Sequence, residues 1–470
     1  MGTRQRRTHA YGFRQLAVVN GELQFLKDEL INSEQRTGNV NSEPATPPGE
    51  ISRLAEHFFR HEAGKLVSVL TGIFGIDRLQ LAEDVVQESL VRALQTWPYY
   101  GIPDNPAAWL TQTAKHLALD LIRREKSFRD KQPEIITFID QWSSDLGGED
   151  SPVFETEIKD GRLRLMFACC HPQIPPEAQT ALALKTLCGF STTEIAIAFL
   201  TTEAAIAKRL TRARQRIRES QIPFEIPSGS ELSGRLDGVL QTLYLLFNEG
   251  YKASSGENLV REDLCFEAIR LATLLAEHPL TNQPRIHALI SLMFLDAARL
   301  SARVDAEGNI LRLKEQNRSL WNRKMIEQGM LHLGLAAAGD ELTEYHIQAG
   351  IAACHDAAPD YKSTDWQRIL TLYDHWVKIN GSPVIALNRA VAVANVKGAK
   401  AGLAATEPIR KQGDLDSYYL FYAVLGEFEF RQDKFDVAAD HFRKAIELSD
   451  LQTEKVFLEK RLVDCEEKAR

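Results

Sequence analysis

The sequence predicts an all-α protein: two small helical domains, the second closing in a helix-turn-helix, and then a long helical-repeat array. Three observations predict this. Apolar residues recur at helical spacing over most of the 470 residues, with almost no strand pattern. Helix start and stop signals fall between those runs. Near the C-terminus, Tyr422, Leu425, Gly426, Ala438, Phe442 and Ala445 sit at the spacings of a roughly 34-residue helical repeat.

Composition narrows the function classes. Hydrophobic residues make up 44% and charged residues 26%, which fits a folded globular chain. No window approaches the roughly 20 apolar residues of a membrane span, and the richest stretch, 289–300, is interrupted by Asp296 and Arg299. The N-terminal arginines have no apolar run behind them, which argues against a secretory signal and a membrane partner. Six cysteines in the chain, two of them adjacent, predict a reduced cytoplasmic protein rather than a disulfide scaffold. The net charge of -8 is unevenly divided: residues 158–219 carry ten basic and five acidic groups, and residues 131–157 carry one basic and seven acidic. A polyanion would therefore be met by one local patch.

The elements follow in order. Residues 1–50, rich in Asn, Ser, Thr, Gly and Pro toward their end, read as a weakly ordered extension. Residues 51–130 form the first helical domain. Within it, Leu81, Val85, Leu90, Leu94 and Trp97 lie near helical spacing, and Pro98 is expected to stop that helix. Asn105-Pro106 starts the next one, with Asn as N-cap and Pro in the first position. That helix is expected to bury Trp109, Leu110, Leu117 and Leu121 and to end in the basic cluster Arg123, Arg124 and Lys126. Residues 131–157 are an acidic linker. Residues 158–222 form the second domain, and residues 232–470 the helical C-terminal extension.

The most informative stretch is Ser191 to Glu219. Ser191 and Glu194 make a capping box, and Ile195, Ala196 and Phe199 of the short helix turn inward. Thr201 or Thr202 caps a second helix, which puts Ile206, Leu210, Ala213 and Ile217 on one stripe and a row of cations opposite. A short helix, a tight turn and a basic amphipathic helix form the helix-turn-helix pattern. The start of the second helix, Glu203 to Lys208, would face bases, and the later arginines would meet phosphates. Four neutralised phosphates would give a log–log salt slope of about -3.6. A solvated cationic helix is the plainer alternative for the basic row taken alone.

Two further segments are ordinary in isolation. Asp84, Gln87, Glu88 and Arg92 share one polar helix face. The run 105–126 joins an aromatic, hydroxyls and a basic end, a combination that captures unpaired bases. Together, in this order, the three segments resemble the sigma-70 family of bacterial transcription initiation factors, and most closely its extracytoplasmic-function (ECF) type, over residues 51–220. The resemblance implies that Asp84, Gln87 and Glu88 contact core RNA polymerase. It implies that Trp109, Lys115, His116, Asp120, Arg123 and Arg124 lie on or support a surface for the melted -10 element, with the loop from Tyr99 to Asp104 holding an unstacked base. It places Thr201, Thr202, Glu203, Lys208, Arg209, Arg212 and Arg214 at the -35 element. The two elements lie on the order of 70 Å apart, and a linker of 27 residues extends to at most about 90–97 Å.

The long C-terminal half resembles the tetratricopeptide-like (TPR-like) extension of one ECF group. Gly426 and Ala438 would let two helices approach while Phe442 fills the gap and Asp433 breaks the pair. The run 384–405 reads as a degenerate repeat with Gly398 at its turn. Such arrays take protein or peptide ligands in a groove, so the extension is expected to regulate or support activity. The segment Leu243 to Gly256 admits two readings, a helix stop with Gly250 as cap or a docking point for the repeats.

Cys169-Cys170-His171-Pro172 invites a metal or redox reading, with Cys188 as an added thiol. Adjacent cysteines do not suit one tetrahedral ion, and the apolar run before them predicts buried thiols. With no phosphate loop, nucleophile elbow or paired carboxylates in a cleft pattern, the sequence predicts no catalytic residues, no metal and no cofactor. The competing function is an ordinary helix-turn-helix regulator with a helical-repeat sensor that acts without polymerase. A third class, a repeat scaffold alone, leaves the basic helix unexplained.

Overall fold

A computed structural model describes residues 62–124, 160–199, 201–219, 230–253, 260–303, 311, 313–449 and 452–469. The N-terminal extension, the acidic linker and Lys126 lie outside the described residues. All regular structure among them is helical, as the sequence predicts. Two compact units separate: one takes the described residues up to Leu246 with Glu277–Thr281, the other takes Phe247–Ala276 and those from Asn282 onward.

The first unit opens with α1 (62–74), a short 3-10 turn at Ile76–Arg78, α2 (Leu79–Tyr100) and α3 (Pro106–Arg124). Helix α2 buries Leu79, Ala82, Val85, Val86, Leu90, Ala93 and Trp97. Two expectations need correction here. Leu94 is 45% exposed rather than inward, and Pro98 sits inside the helix rather than ending it. Proline removes one donor, which so near the helix end costs a single bond. The helix continues to Tyr100 and closes where Gly101, at φ 84°, sends its N–H to the Trp97 carbonyl. Helix α3 starts as expected, with the Asn105 side chain accepting from the Ala108 N–H at 3.0 Å. Its buried ridge is Leu110, Ala114, Ala118 and Ile122, while Trp109, Leu117 and Leu121 are only half-buried. Alanines four apart let α3 lie close on α2, and the bulkier side chains are pushed to the flanks.

The rest of this unit is α4 (Gly161–Cys169), α5 (Pro176–Leu187), α6 (Thr192–Ala198), α7 (Glu203–Glu219) and the first part of α8 (Ser230–Tyr251). Asp160 caps α4 by accepting from the N–H groups of Arg162 and Leu163. Helix α5 is buried along nearly its whole length and forms the centre of the second domain. Helix α8 packs against this centre. Arg235 donates to the Phe167 carbonyl at 3.4 Å. A Cβ at Gly238 would stand 2.8 Å from the Cys170 sulfur, so that position accepts only glycine without a shift.

The second unit continues from α8 through α9 (Glu262–Glu277), α10 (Pro284–Ala297), α11 (Arg323–Ala336), α12 (Glu344–Ala357) and α13 (Trp366–Ile379). It ends with α14 (Pro383–Lys397), α15 (Ala399–Gln412), α16 (Tyr419–Phe430), α17 (Phe435–Leu448) and α18 (Gln452–Ala469). The capping role expected of Gly250 is not what the structure shows. Gly250 lies inside α8 without a positive φ. A Cβ there would come within 2.8 Å of the Arg261 carbonyl and the Cys265 sulfur, so the glycine admits the start of α9. Its neighbours brace the same corner. Glu249 pairs with Arg261 at 3.8 Å, and the Arg303 guanidinium lies 3.5 Å from the Tyr251 ring centre. Deeper in this unit Arg299 is held between Asp296 and Asp356, and burial pushes these carboxyls up to about 6 and about 7.

The individual turns and close approaches expected near the C-terminus are present. Gly398, at φ 87°, turns α14 into α15. A Cβ at Gly426 would stand 3.0 Å from the Phe442 ring, and Ala438 and Phe442 are fully buried between α16 and α17. Asp433, with φ 59°, makes the turn between those helices and is the single non-glycine residue with positive φ among the described residues.

Candidate nucleic-acid interface

Three surfaces carry the candidate residues, and all belong to the first unit. On α2, Asp84, Gln87 and Glu88 are exposed along one face. Gln80 donates to Asp84 at 2.9 Å, and Arg92 pairs with Glu88 at 3.0 Å. Val91 and Leu94 are exposed beside them, so the polar face runs into an apolar edge. Such a strip suits a protein partner better than DNA, because carboxylates repel phosphates.

On α3, Trp109, His116, Asp120 and Arg123 recur at helical spacing on a single stripe with Gln112. Gln112 and His116 share a hydrogen bond of 3.0 Å, and Asp120 lies 3.9 Å from Arg123. Arg124 is exposed at the helix end, and Lys115 is half-buried off the stripe. Trp109 meets the buried Trp97 edge-on, with ring centres 5.7 Å apart. Sequence reasoning gave Trp97 only a packing role. Its place one turn before the end of α2, facing the start of α3, is the signal that it also orients Trp109. Tyr99 and Tyr100 stand 84% and 87% exposed. They belong to the last turn of α2, so the expected loop is shortened to residues 101–105.

The helix-turn-helix forms as the sequence reads. Ser191 and Glu194 make the reciprocal cap, at 3.0 and 2.7 Å. Of the expected α6 interior, Ile195 and Ala196 are buried and Phe199 is half-buried. Thr202 accepts from the Ala205 N–H at 3.3 Å and so caps α7, while Thr201 is half-buried in the turn. Ile206, Leu210, Ala213 and Ile217 form the buried stripe. The cations divide. Lys208 and Arg212 are exposed on the outward face, joined by Arg216 and Arg218. Arg209 instead pairs with Glu177 at 3.1 Å, and Arg214 with Glu83 at 2.8 Å. Glu203 accepts from Thr192 and Thr193 at 2.6 and 3.2 Å, which ties the start of α7 to α6.

The cysteines form no donor set here. Cys169, Cys170 and Cys188 are all buried as free thiols. Burial raises Cys169 well above the ordinary thiol range and Cys170 to about 12, so neither supplies a thiolate at neutral pH. Among the described residues no cluster of three or more His, Cys, Asp or Glu side chains is placed to hold a metal, and no helix is long and apolar enough to cross a membrane.

Comparison with known proteins agrees with this arrangement. Residues 58–128 match the family described as Sigma-70 region 2, residues 164–217 match Sigma-70, region 4, and residues 235–337 match a family of unknown function, DUF6596. An uncharacterized protein of Rhizobium meliloti is 37% identical over 385 residues, 82% of this chain and 90% of the relative. The ECF RNA polymerase sigma factor SigL of Mycobacterium tuberculosis is 30% identical over 138 residues, 29% of this chain and 72% of the relative. SigE of Mycolicibacterium smegmatis, also an ECF RNA polymerase sigma factor, is 27% identical over 139 residues, 29% of this chain and 51% of the relative. No solved structure matches the chain. With both sigma regions present in order and carried on helices of the expected kind, the chain belongs to the ECF type of the sigma-70 family of RNA polymerase sigma factors.

Proposed function

We propose that this chain binds core RNA polymerase through α2 and directs it to promoters by holding the -10 and -35 elements with α3 and α7. The observation that supports this best is the coexistence of three different surfaces in one unit: acidic with an apolar edge on α2, aromatic and basic on α3, basic and groove-sized on α7. A plain regulator has no use for the first two. Asp84, Gln87 and Glu88 meet polymerase. Trp109, backed by Trp97, serves as the wedge for the melted strand, with Tyr99 and Tyr100 as stacking faces and His116, Arg123 and Arg124 along its path. Asp120 and Lys115 support that stripe. Thr202, Lys208 and Arg212 face the -35 duplex, with bases read near the helix start and phosphates met further along. Glu203 fixes the angle between α6 and α7. Arg209 and Arg214 reach DNA only after leaving their carboxylate partners.

The C-terminal helices regulate or support this activity, and their repeat-like pairs suit a protein or peptide ligand. Co-migration of the purified chain with core polymerase tests the first step. The complex should form with the wild type and weaken at least tenfold with Asp84→Ala and Glu88→Ala combined. A complex that forms equally well with that variant would remove α2 from the interface. Any C-terminal truncation should retain residues up to 246, because the first part of α8 covers Cys170 and Gln179 of the DNA-binding half.

A further inference from the structure

We infer that two copies of the chain pair through the outward face of α11, antiparallel and related by a two-fold axis near His332. This pairing is independent of the promoter reading above. Helix α11 turns small residues inward and leucines outward. A Cβ at Gly329 would stand 2.6 Å from the Leu295 side chain, and Ala336 is buried two turns further on. Leu331 and Leu335, by contrast, are 56% and 44% exposed, and Leu342, just past the helix, is 50% exposed. Gly334 is exposed beside them, and a Cβ there would meet nothing within 4 Å. Lys324, Gln328, Leu331 and Leu335 alternate by four and three residues, the spacing of a coiled-coil seam. Single exposed leucines are ordinary, but leucines grouped on one helix face mark a surface for association.

The charges at the two ends identify the occupant. Arg323 and Lys324 open the helix, and Asp340 and Glu341 follow its end. All four are exposed, and among the described residues none of them forms a salt bridge. Both pairs are set against the helix dipole, which favours anions at the N-terminus and cations at the C-terminus. A second α11 running the opposite way reverses this. With the axis level with residue 332, Arg323 and Lys324 of one copy lie level with Glu341 and Asp340 of the other, beside the negative end of its helix. Two-fold symmetry repeats the match at the opposite end. Between the ends, each Leu331 falls between Leu331 and Leu335 of the other copy. An unrelated partner would need both charge pairs and the leucine spacing, which a second copy carries already.

Sedimentation velocity of the full-length chain tests this. Helix α11 spans about 21 Å at about 1.5 Å per residue, a strip well short of the roughly 800 Å² per partner of a standard interface, so Kd should be on the order of 10–100 µM. The mass should rise from 52.9 kDa toward twice that value between about 5 and about 300 µM protein. Arg323→Glu with Lys324→Glu, and separately Asp340→Lys with Glu341→Lys, should each weaken pairing about tenfold or more, because like charges then meet at both ends. Mixed in equal amounts, the two variants should pair again, since opposite charges meet at both ends of the mixed dimer. A segment of the same chain or an unrelated protein on this face would give no such recovery. A wild type that stays at the monomer mass, charge variants that pair as the wild type does, or a mixture that stays monomeric overturns the inference. A mass that climbs past the dimer without levelling reports open aggregation and overturns it as well. Should either charge variant fail to fold, Leu331→Glu replaces them. It should stay monomeric where the wild type pairs, and a Leu331→Glu chain that pairs equally well overturns the inference.

Discussion

The division of cations on α7 makes a quantitative prediction about salt. Lys208, Arg212, Arg216 and Arg218 are exposed, while Arg209 and Arg214 are ion-paired to Glu177 and Glu83. Each neutralised phosphate contributes about -0.9 to the slope of log affinity against log salt, so four exposed cations meeting phosphates give about -3.6. Raising salt from about 50 to about 200 mM should then weaken duplex binding about 150-fold. Lys208→Ala with Arg212→Ala removes two of the four. The slope should drop to about -1.8 and the salt effect to about 12-fold. Arg209→Ala should change the slope by no more than about 0.3, since its charge is already neutralised by a carboxylate. The assay is fluorescence anisotropy of the full-length chain with a labelled duplex over a salt series. A double variant that keeps the wild-type slope, or an Arg209→Ala variant that loses as much as Lys208→Ala, would refute the division of roles drawn from the structure.

Other expectations follow from buried contacts. Trp109→Ala should leave the melting temperature within a few degrees but lower strand opening, read by permanganate footprinting, by roughly 5- to 150-fold, the equivalent of one lost stacking contact of about 1–3 kcal/mol. Trp97→Ala should cost about 3–5 kcal/mol of stability, because that side chain is fully buried, and Trp97→Phe should recover most of it in urea denaturation. Gly426→Val should destabilise the repeat pair by about 1–3 kcal/mol, since even a Cβ there sits 3.0 Å from the Phe442 ring. Glu344 is raised to about 7 by burial, against hydrogen bonds from Trp376 and Asn380 that favour its charged form. A carboxyl raised in the folded state stabilises fully below its unfolded pKa and loses that contribution as pH rises through about 7. Glu344→Gln should therefore flatten the fall in melting temperature between about pH 5 and about pH 8 relative to the wild type, and identical pH profiles would show that this carboxyl is not the source.

What the sequence revealed was local chemistry. The Ser191–Glu194 box, the Asn105-Pro106 start and the 206/210/213/217 stripe depend on residues within one or two turns, and each stands in the structure as read. So do the Gly398 and Asp433 turns, where the backbone conformation is set by the residue itself. What escaped depends on partners distant in the chain. Which face of α3 is buried is decided by how closely its alanines let it approach α2, not by where its largest apolar residues lie. Gly250 reads as a cap because glycine commonly ends helices, and the Arg261 carbonyl that explains it is eleven positions away. The pairing of Arg214 with Glu83 spans 131 positions and is invisible to any periodicity. The buried Arg299 reads from sequence only as an interruption of an apolar stretch, because its two aspartate partners come together only in the fold.

The most direct test of the central claim is run-off transcription by the full-length chain with purified core RNA polymerase, on a template carrying the region upstream of its own gene or a neighbouring one. A specific transcript should appear that depends on added chain and is lost when Asp84, Gln87 and Glu88 are replaced by alanine. A chain that shifts duplex DNA but yields no transcript and does not co-migrate with core polymerase would contradict it.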